Sequence, residues 1–248
     1  MKTNKIKVAA ATIQGPMHLN KNLPCQDYCR YSNRGRNFVA VVSDGAGSAK
    51  YGKIGAKIVC DTLIDLLKNC KFSNAEDAVK KAIETARGKV RRHRLNKNRG
   101  TGDISDFSAT VVGTVYHKGN GIFFHIGDGA ALAFNESDSN DFIVSPPENG
   151  NFSCETFFYT QENWQQNLRF TPFLKADAIF LMSDGLTSFS FSQDYRCIEK
   201  NFILPIHNFL KQESSKIKAE RALANTLNTA QARRLNSDDK TLLWAGLE

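Results

Sequence analysis

The chain has 248 residues, 41% of them hydrophobic and 23% charged, a balance that supplies a sizeable core and excludes a disordered or low-complexity polymer. Its 33 basic residues against 25 acidic ones give a formal charge of +8, and no apolar run approaches the roughly 20 residues of a membrane span. At this length a single domain, residues 1–248, is expected, because sandwiches and barrels reach about 200–250 residues as one unit.

The basic start is followed by an apolar stretch only from Val8 to Ile13, interrupted by Thr12 and too short for a secretory leader, so a cytoplasmic protein is expected. Lys7 to Gln14 reads as a strand ended by Gly15-Pro16, with a polar loop from His18 to Pro24. Phe38 to Val42 is an unbroken, β-branched apolar run, as expected of a strand buried on both faces, and it leads into Asp44. From Ile54 through Ile58, Val59, Leu63 and Leu67 the apolar spacing becomes helical. Ser73 and Glu76 fit a capping box for a second helix to about Arg92, with Ala78, Ala82, Ile83, Ala86 and Val90 facing inward. The charge excess gathers between Lys80 and Arg99, where Arg87, Lys89, Arg91, Arg92, Arg94, Lys97 and Arg99 face one carboxylate, Glu84. Without interleaved aromatics this run reads as a solvated helix face, and nucleic-acid binding is not expected.

After a loop from Asn96 to Asp106 come strands at Ser108 to His117, Ile122 to Ile126, Ala130 to Phe134 and Asp141 to Val144, the first two joined by a turn at Gly119-Asn120-Gly121. Past the turn-rich Pro146 to Gly150, short strands are predicted near Cys154 to Tyr159 and Leu168 to Thr171, then a buried strand at Ala178 to Met182. Helical segments at Leu204 to Gln212 and Ser215 to Ala230 precede a closing strand at Thr241 to Ala245. This order suggests an α/β (α+β) sandwich of mainly antiparallel sheets covered by helices. The six cysteines show neither CxxC nor metal-ligand spacing with histidine and read as reduced, mostly buried thiols.

Three of the apolar runs end in Asp-Gly, at Asp44-Gly45, Asp128-Gly129 and Asp184-Gly185, and an acidic pair, Asp238-Asp239, precedes the last strand. Asp-Gly between strands also marks a hairpin turn, a reading that suits Asp128-Gly129 best and Asp44-Gly45 least. Carboxylates held at the ends of buried strands and converging on one cleft would suit hard divalent cations, Mg²⁺ or Mn²⁺ rather than zinc, and the Gly45 carbonyl is a further candidate ligand. Two such ions about 3.5–4 Å apart can share a carboxylate and activate water for in-line attack on phosphorus. The chain lacks the P-loop, Gly-x-Ser-x-Gly and HExxH patterns, so P-loop phosphoryl transfer, serine hydrolysis and zincin chemistry are not expected.

The pieces Cys25-Gln26-Asp27, Val42 to Ser48, Ser108-Ala109-Thr110, His125 to Gly129, Leu181 to Leu186 and Asp238 to Thr241 follow one another in an order that resembles the metal-dependent protein phosphatases of the protein phosphatase 2C type, in a bacterial form. The resemblance implies an α-β-β-α sandwich and a serine/threonine protein phosphatase that hydrolyses phosphoserine and phosphothreonine at a binuclear Mn²⁺ or Mg²⁺ centre. Asp44 would bridge two metals, the Gly45 carbonyl would complete the first, and Asp184 and Asp238 would bind the second. Asp27 would bind or orient water, Asp128 would hold a third, weaker metal, and Asp239 would support the set. Phosphorylated proteins and a cognate serine/threonine kinase would be the partners, with no membrane.

Several positions depart from the family pattern. Gly129-Ala130 stands where Ser-Arg is usual, Ala46 replaces a histidine found in animal members, and Asn22 lies near the place of a phosphate-binding arginine. Lys21 and Asn22 are therefore the local candidates for substrate binding, and His18 for proton donation. These departures leave two alternatives: a degenerate phosphoprotein-binding module, and a metal-dependent hydrolase of small phosphoesters or nucleic acid.

Overall fold

A computed structural model of the protein describes residues 6–34, 37–96, 103–138, 140–148 and 156–247, the side chains of 94–96 excepted. In chain order the elements are β1 (Lys7–Ile13), α1 (Pro16–Asn20), β2 (Tyr28–Arg34), β3 (Asn37–Ser43), α2 (Gly52–Leu67), α3 (Ala75–Asn96), β4 (Val111–His117), β5 (Asn120–Ile126), β6 (Ala130–Phe134), β7 (Phe142–Ser145), β8 (Arg169–Leu174) and β9 (Ala178–Met182). There follow α4 (Thr187–Ser190), the small hairpin β10 (Phe191–Ser192) and β11 (Cys197–Ile198), α5 (Lys200–Gln212), α6 (Lys216–Leu227), α7 (Ala230–Leu235) and β12 (Lys240–Gly246).

The strands form two five-stranded sheets, β1-β12-β9-β6-β7 and β2-β3-β4-β5-β8, with every pairing antiparallel. The continuous apolar run of β3 follows from this stacking, because successive side chains of a strand point to opposite faces. Phe38, Ala40 and Val42 meet Ala131, Ile179, Leu181 and Leu243 of the other sheet, while Val39 and Val41 turn outward onto α2 and α3. On the far side Phe180, Leu242 and Trp244 pack under α5 and α6. Three apolar layers separate four structural ones, giving the expected α-β-β-α sandwich.

Local differences from the sequence reading have local causes. β2 was not predicted: it is a sheet-edge strand whose residues are half-buried or exposed, so it carries no apolar pattern. Pro16 at the start of α1 turns part of the expected polar loop into a short helix and buries His18. The β4–β5 turn is Lys118-Gly119, both at positive φ (50° and 89°), a type I′ turn one residue earlier than the glycines suggest. Ser73 lies in a 3-10 turn and donates to Asn74 rather than capping α3. Residues 157–167 run as turns rather than a strand, and Cys154, with the rest of residues 149–155, lies outside the described residues. Asp128-Gly129 is not a hairpin turn either: β5 and β6 belong to different sheets, and the chain crosses the sandwich there, with Gly127 at φ 113°. The five described cysteines are free, and burial pushes the thiols of Cys25, Cys29 and Cys60 up, which keeps them protonated. Among the described residues no helix is long and apolar enough to cross a membrane.

Candidate metal centre

Sheet pairing brings the four acidic turns to one end of the sandwich. β3 and β5 both run antiparallel to β4, so Asp44 after β3 and Asp128 after β5 emerge together. In the other sheet the end of β9 pairs with the starts of β12 and β6, which places Asp184 and Asp238 opposite them. Asp44 is fixed by its backbone: its N–H donates to Thr110 Oγ1 at 3.0 Å, and its carbonyl accepts from the Thr110 N–H at 2.8 Å. The Asp184 and Asp238 turns touch through Gly185, where a Cβ would stand 2.0 Å from the Asp239 carbonyl oxygen. Ser183 ties β9 to β12 by accepting the Thr241 N–H at 2.9 Å and donates to Asp27 Oδ2 at 2.7 Å.

Asp44, Asp128, Asp184 and Asp238 line a cleft of about 460 Å³ together with Thr110, Thr156 and Gln161. Burial and mutual repulsion dominate its electrostatics. The Asp44 carboxyl is pushed well above the usual carboxylate range, first by burial and then by Asp27, Asp184, Asp128 and Asp238. Asp184 is pushed up to about 8 by burial and by Asp128, Asp238 and Asp27. Asp27 is pushed up to about 6, burial outweighing the hydrogen bonds from Ser183 and Thr241. Asp128 is raised by burial against the hydrogen bond from Thr156.

One carboxylate oxygen each of Asp27, Asp128 and Asp184 is buried and without a hydrogen-bond partner among the described residues. Orphaned buried carboxylate oxygens are costly, and their convergence with like charges is relieved when cations are supplied. Every donor in the set is oxygen, which fits Mg²⁺ or Mn²⁺ and not a thiolate- or imidazole-seeking ion.

The remaining sequence candidates are placed differently. Asp239 is 1% exposed, and its carboxylate accepts from the Gly15 N–H at 2.7 Å, the Gln26 N–H at 2.7 Å and His18 Nδ1 at 2.8 Å. It anchors the loop that delivers Asp27, and although His18, Asp238 and Asp239 offer ligand atoms within 4.8 Å of one another, its oxygens are already engaged. His18 is 3% exposed rather than a loop histidine open to solvent. Lys21 and Asn22 are exposed at the end of α1 and do not line the cleft. Gly45 sits so close to α2 that a Cβ would stand 2.3 Å from the Gly52 carbonyl carbon, which is why glycine follows Asp44.

Sequence reasoning missed Thr156, whose Oγ1 donates to Asp128 Oδ2 at 2.6 Å, and Gln161 in the cleft wall. Nothing near either residue in sequence signals a ligand, because both arrive from a segment that is neither strand nor helix. Thr110 and Ser183 were visible only as members of motifs; their hydroxyls prove to be the supports of Asp44 and Asp27.

A family model described as Protein phosphatase 2C matches residues 14–228. Serine/threonine-protein phosphatase 3 of Escherichia coli (strain K12) is 26% identical, over 96% of this chain and 98% of its own length. Among solved structures, the serine/threonine phosphatase Stp1 from Staphylococcus aureus superposes with a TM-score of 0.66 at 16% identity, covering 100% of this chain and 98% of that one. The catalytic domain of the serine/threonine protein phosphatase PstP, in complex with two manganese ions, does so at 0.65 and 14% identity, covering 98% and 99%. With the sandwich, the ordered motifs and the family match in agreement, the chain belongs to the protein phosphatase 2C family of metal-dependent serine/threonine phosphoprotein phosphatases.

Proposed function

We propose that the cleft hydrolyses phosphoserine and phosphothreonine in proteins with the help of two divalent cations, Mn²⁺ or Mg²⁺. Asp44 would be shared between them, the Gly45 carbonyl would complete one, and Asp184 and Asp238 would hold the other. Asp128 would hold a third, weaker ion. When bound, such ions lower the pKa of water and neutralise charge on a phosphoryl group.

The chain's own residues supply the rest. Asp27, with Oδ2 fixed by Ser183 and Oδ1 unpartnered, would orient water. Among the described residues lining the cleft no lysine, arginine or histidine appears; there the cations would meet the phosphate charge, with Ser48 and Gln161 as neutral polar contacts. Buried His18 acts through Asp239 as a support of the Asp27 loop rather than as a proton donor open to substrate.

The observation that carries this reading is the convergence of Asp44, Asp128, Asp184 and Asp238 on one cleft. The convergence alone does not separate this reading from a degenerate family member that binds phosphoproteins without turnover; phosphate release does. The test is phosphate release from phosphoserine and phosphothreonine peptides with excess Mn²⁺, compared with nucleotide and single-stranded DNA. Turnover on the peptides alone supports the reading, and no Mn²⁺-dependent release from any of them defeats it.

A further inference from the structure

The charge pattern of α3 places Arg87 on a solvated face, yet the structure leaves it only 2% exposed. Its Nη1 donates to the carbonyls of Tyr159 at 2.8 Å and Gln161 at 2.6 Å, with Glu162 Oε1 at 3.4 Å from Nη2 and Glu84 Oε2 at 3.4 Å from Nε. A guanidinium is costly to bury unless its donors meet acceptors; here Nη1 alone serves both carbonyls while Nη2 and Nε face Glu162 and Glu84, a spread of contacts that the single nitrogen of a shorter lysine does not cover. Resting on the functional reading above, we propose that Arg87 is a positioning residue for Asp128.

The connection is short. The two carbonyls that Arg87 grips flank Thr160, whose hydroxyl meets Ser108 Oγ at 2.9 Å, and the Gln161 side chain closes the turn by accepting the Phe158 N–H at 3.1 Å. Two residues earlier Thr156 donates to Asp128 Oδ2, leaving Oδ1 buried and unpartnered. Arg87 thus fixes the strap from Thr156 to Gln161, the strap fixes one oxygen of Asp128, and the other is presented for a cation. The Ser108 to Thr110 segment joins the same assembly, since Ala109 accepts the Tyr159 N–H and Thr110 holds Asp44.

The test uses Arg87→Lys, which keeps the charge but not the fork, and Thr156→Val, which removes only the hydroxyl tie. In metal-free protein, Arg87→Lys should raise amide exchange at Phe158 and Tyr159 on the order of tenfold while β4 and β9 stay as in wild type. In calorimetric titration each variant should weaken the weakest Mn²⁺ site on the order of tenfold, as losing a partner that orients a ligand does, and the double variant should fall no further. Unchanged exchange at Phe158 and Tyr159, or losses that multiply in the double variant, would overturn the proposal, as would a lowered Tm with an unaltered Mn²⁺ isotherm. If wild type takes up no Mn²⁺ the functional reading itself fails, and the exchange data alone then decide whether Arg87 holds the strap.

Discussion

Stripping the protein of divalent cations should make its stability fall as pH rises, the reverse of ordinary acid denaturation. The Asp184 carboxyl moves from 3.8 to about 8 in the fold, roughly four pH units at about 1.4 kcal/mol each, so its ionisation costs the folded state at most ~6 kcal/mol. Burial is the largest cause and is not relieved by a neighbour's proton, whereas the repulsion from Asp128, Asp238 and Asp27 falls once any of them is protonated, so between about half and all of that figure is expected. The sign follows from proton counting. Between pH 4 and 8 the folded protein keeps protons on Asp184 and, up to about 6, on Asp27, while the unfolded chain has released them. This contribution is full below pH 4 and is lost as pH climbs through the folded values. The window from pH 5.5 to 8.5 covers about 2.5 of those four units, ~2–3 kcal/mol, so at about 2–4 °C per kcal/mol for a chain of this size Tm in EDTA should drop by ~4–12 °C across it. Excess Mn²⁺ should remove the drop, so its stabilising effect grows with pH. Scanning calorimetry across this range, with EDTA and with Mn²⁺, reads it directly. A flat EDTA profile, or Mn²⁺ stabilisation equal at both ends, would refute the repulsion argument.

Gly185→Ala should push the Asp239 backbone away from the Asp184 turn, costing about 1–3 kcal/mol in urea unfolding and lowering Mn²⁺ affinity as well, whereas a purely local effect would leave affinity unchanged. Lys21→Ala should leave KM for a phosphopeptide within about twofold, because Lys21 lies outside the cleft; a tenfold rise, about 1.4 kcal/mol, would return it to substrate binding. Phe123→Ala, which removes a fully buried ring stacked on Phe173 at 4.4 Å between the sheets, should cost about 3–5 kcal/mol in chemical unfolding; a loss under 1 kcal/mol would show that this layer collapses around the gap.

Asp44, Asp128, Asp184 and Asp238 were legible in the sequence because each closes or opens an apolar run, and strand ends are what a sandwich gathers at its rim. Harder to read were residues whose role depends on distant pairing. Asp128-Gly129 has the form of a hairpin turn, and only the assignment of β5 and β6 to different sheets makes it a crossing. Arg87 carries the same charge as its helical neighbours, and its burial is decided by the Tyr159 and Gln161 carbonyls, more than seventy residues away. β2 escaped notice because an edge strand has no need of alternating apolar residues. His18 sat in a stretch read as polar loop, and a proline-started helix with an Asp239 partner turned it inward.

Calorimetric titration of Mn²⁺ into metal-free wild type and Asp44→Asn tests the central claim most directly, since Asp44 is the carboxylate that feels all the others. The account predicts at least two ions per wild-type chain, taken up with release of protons, and loss of the tighter binding in Asp44→Asn. Absence of saturable uptake by wild type, or an unchanged isotherm in the variant, would contradict it.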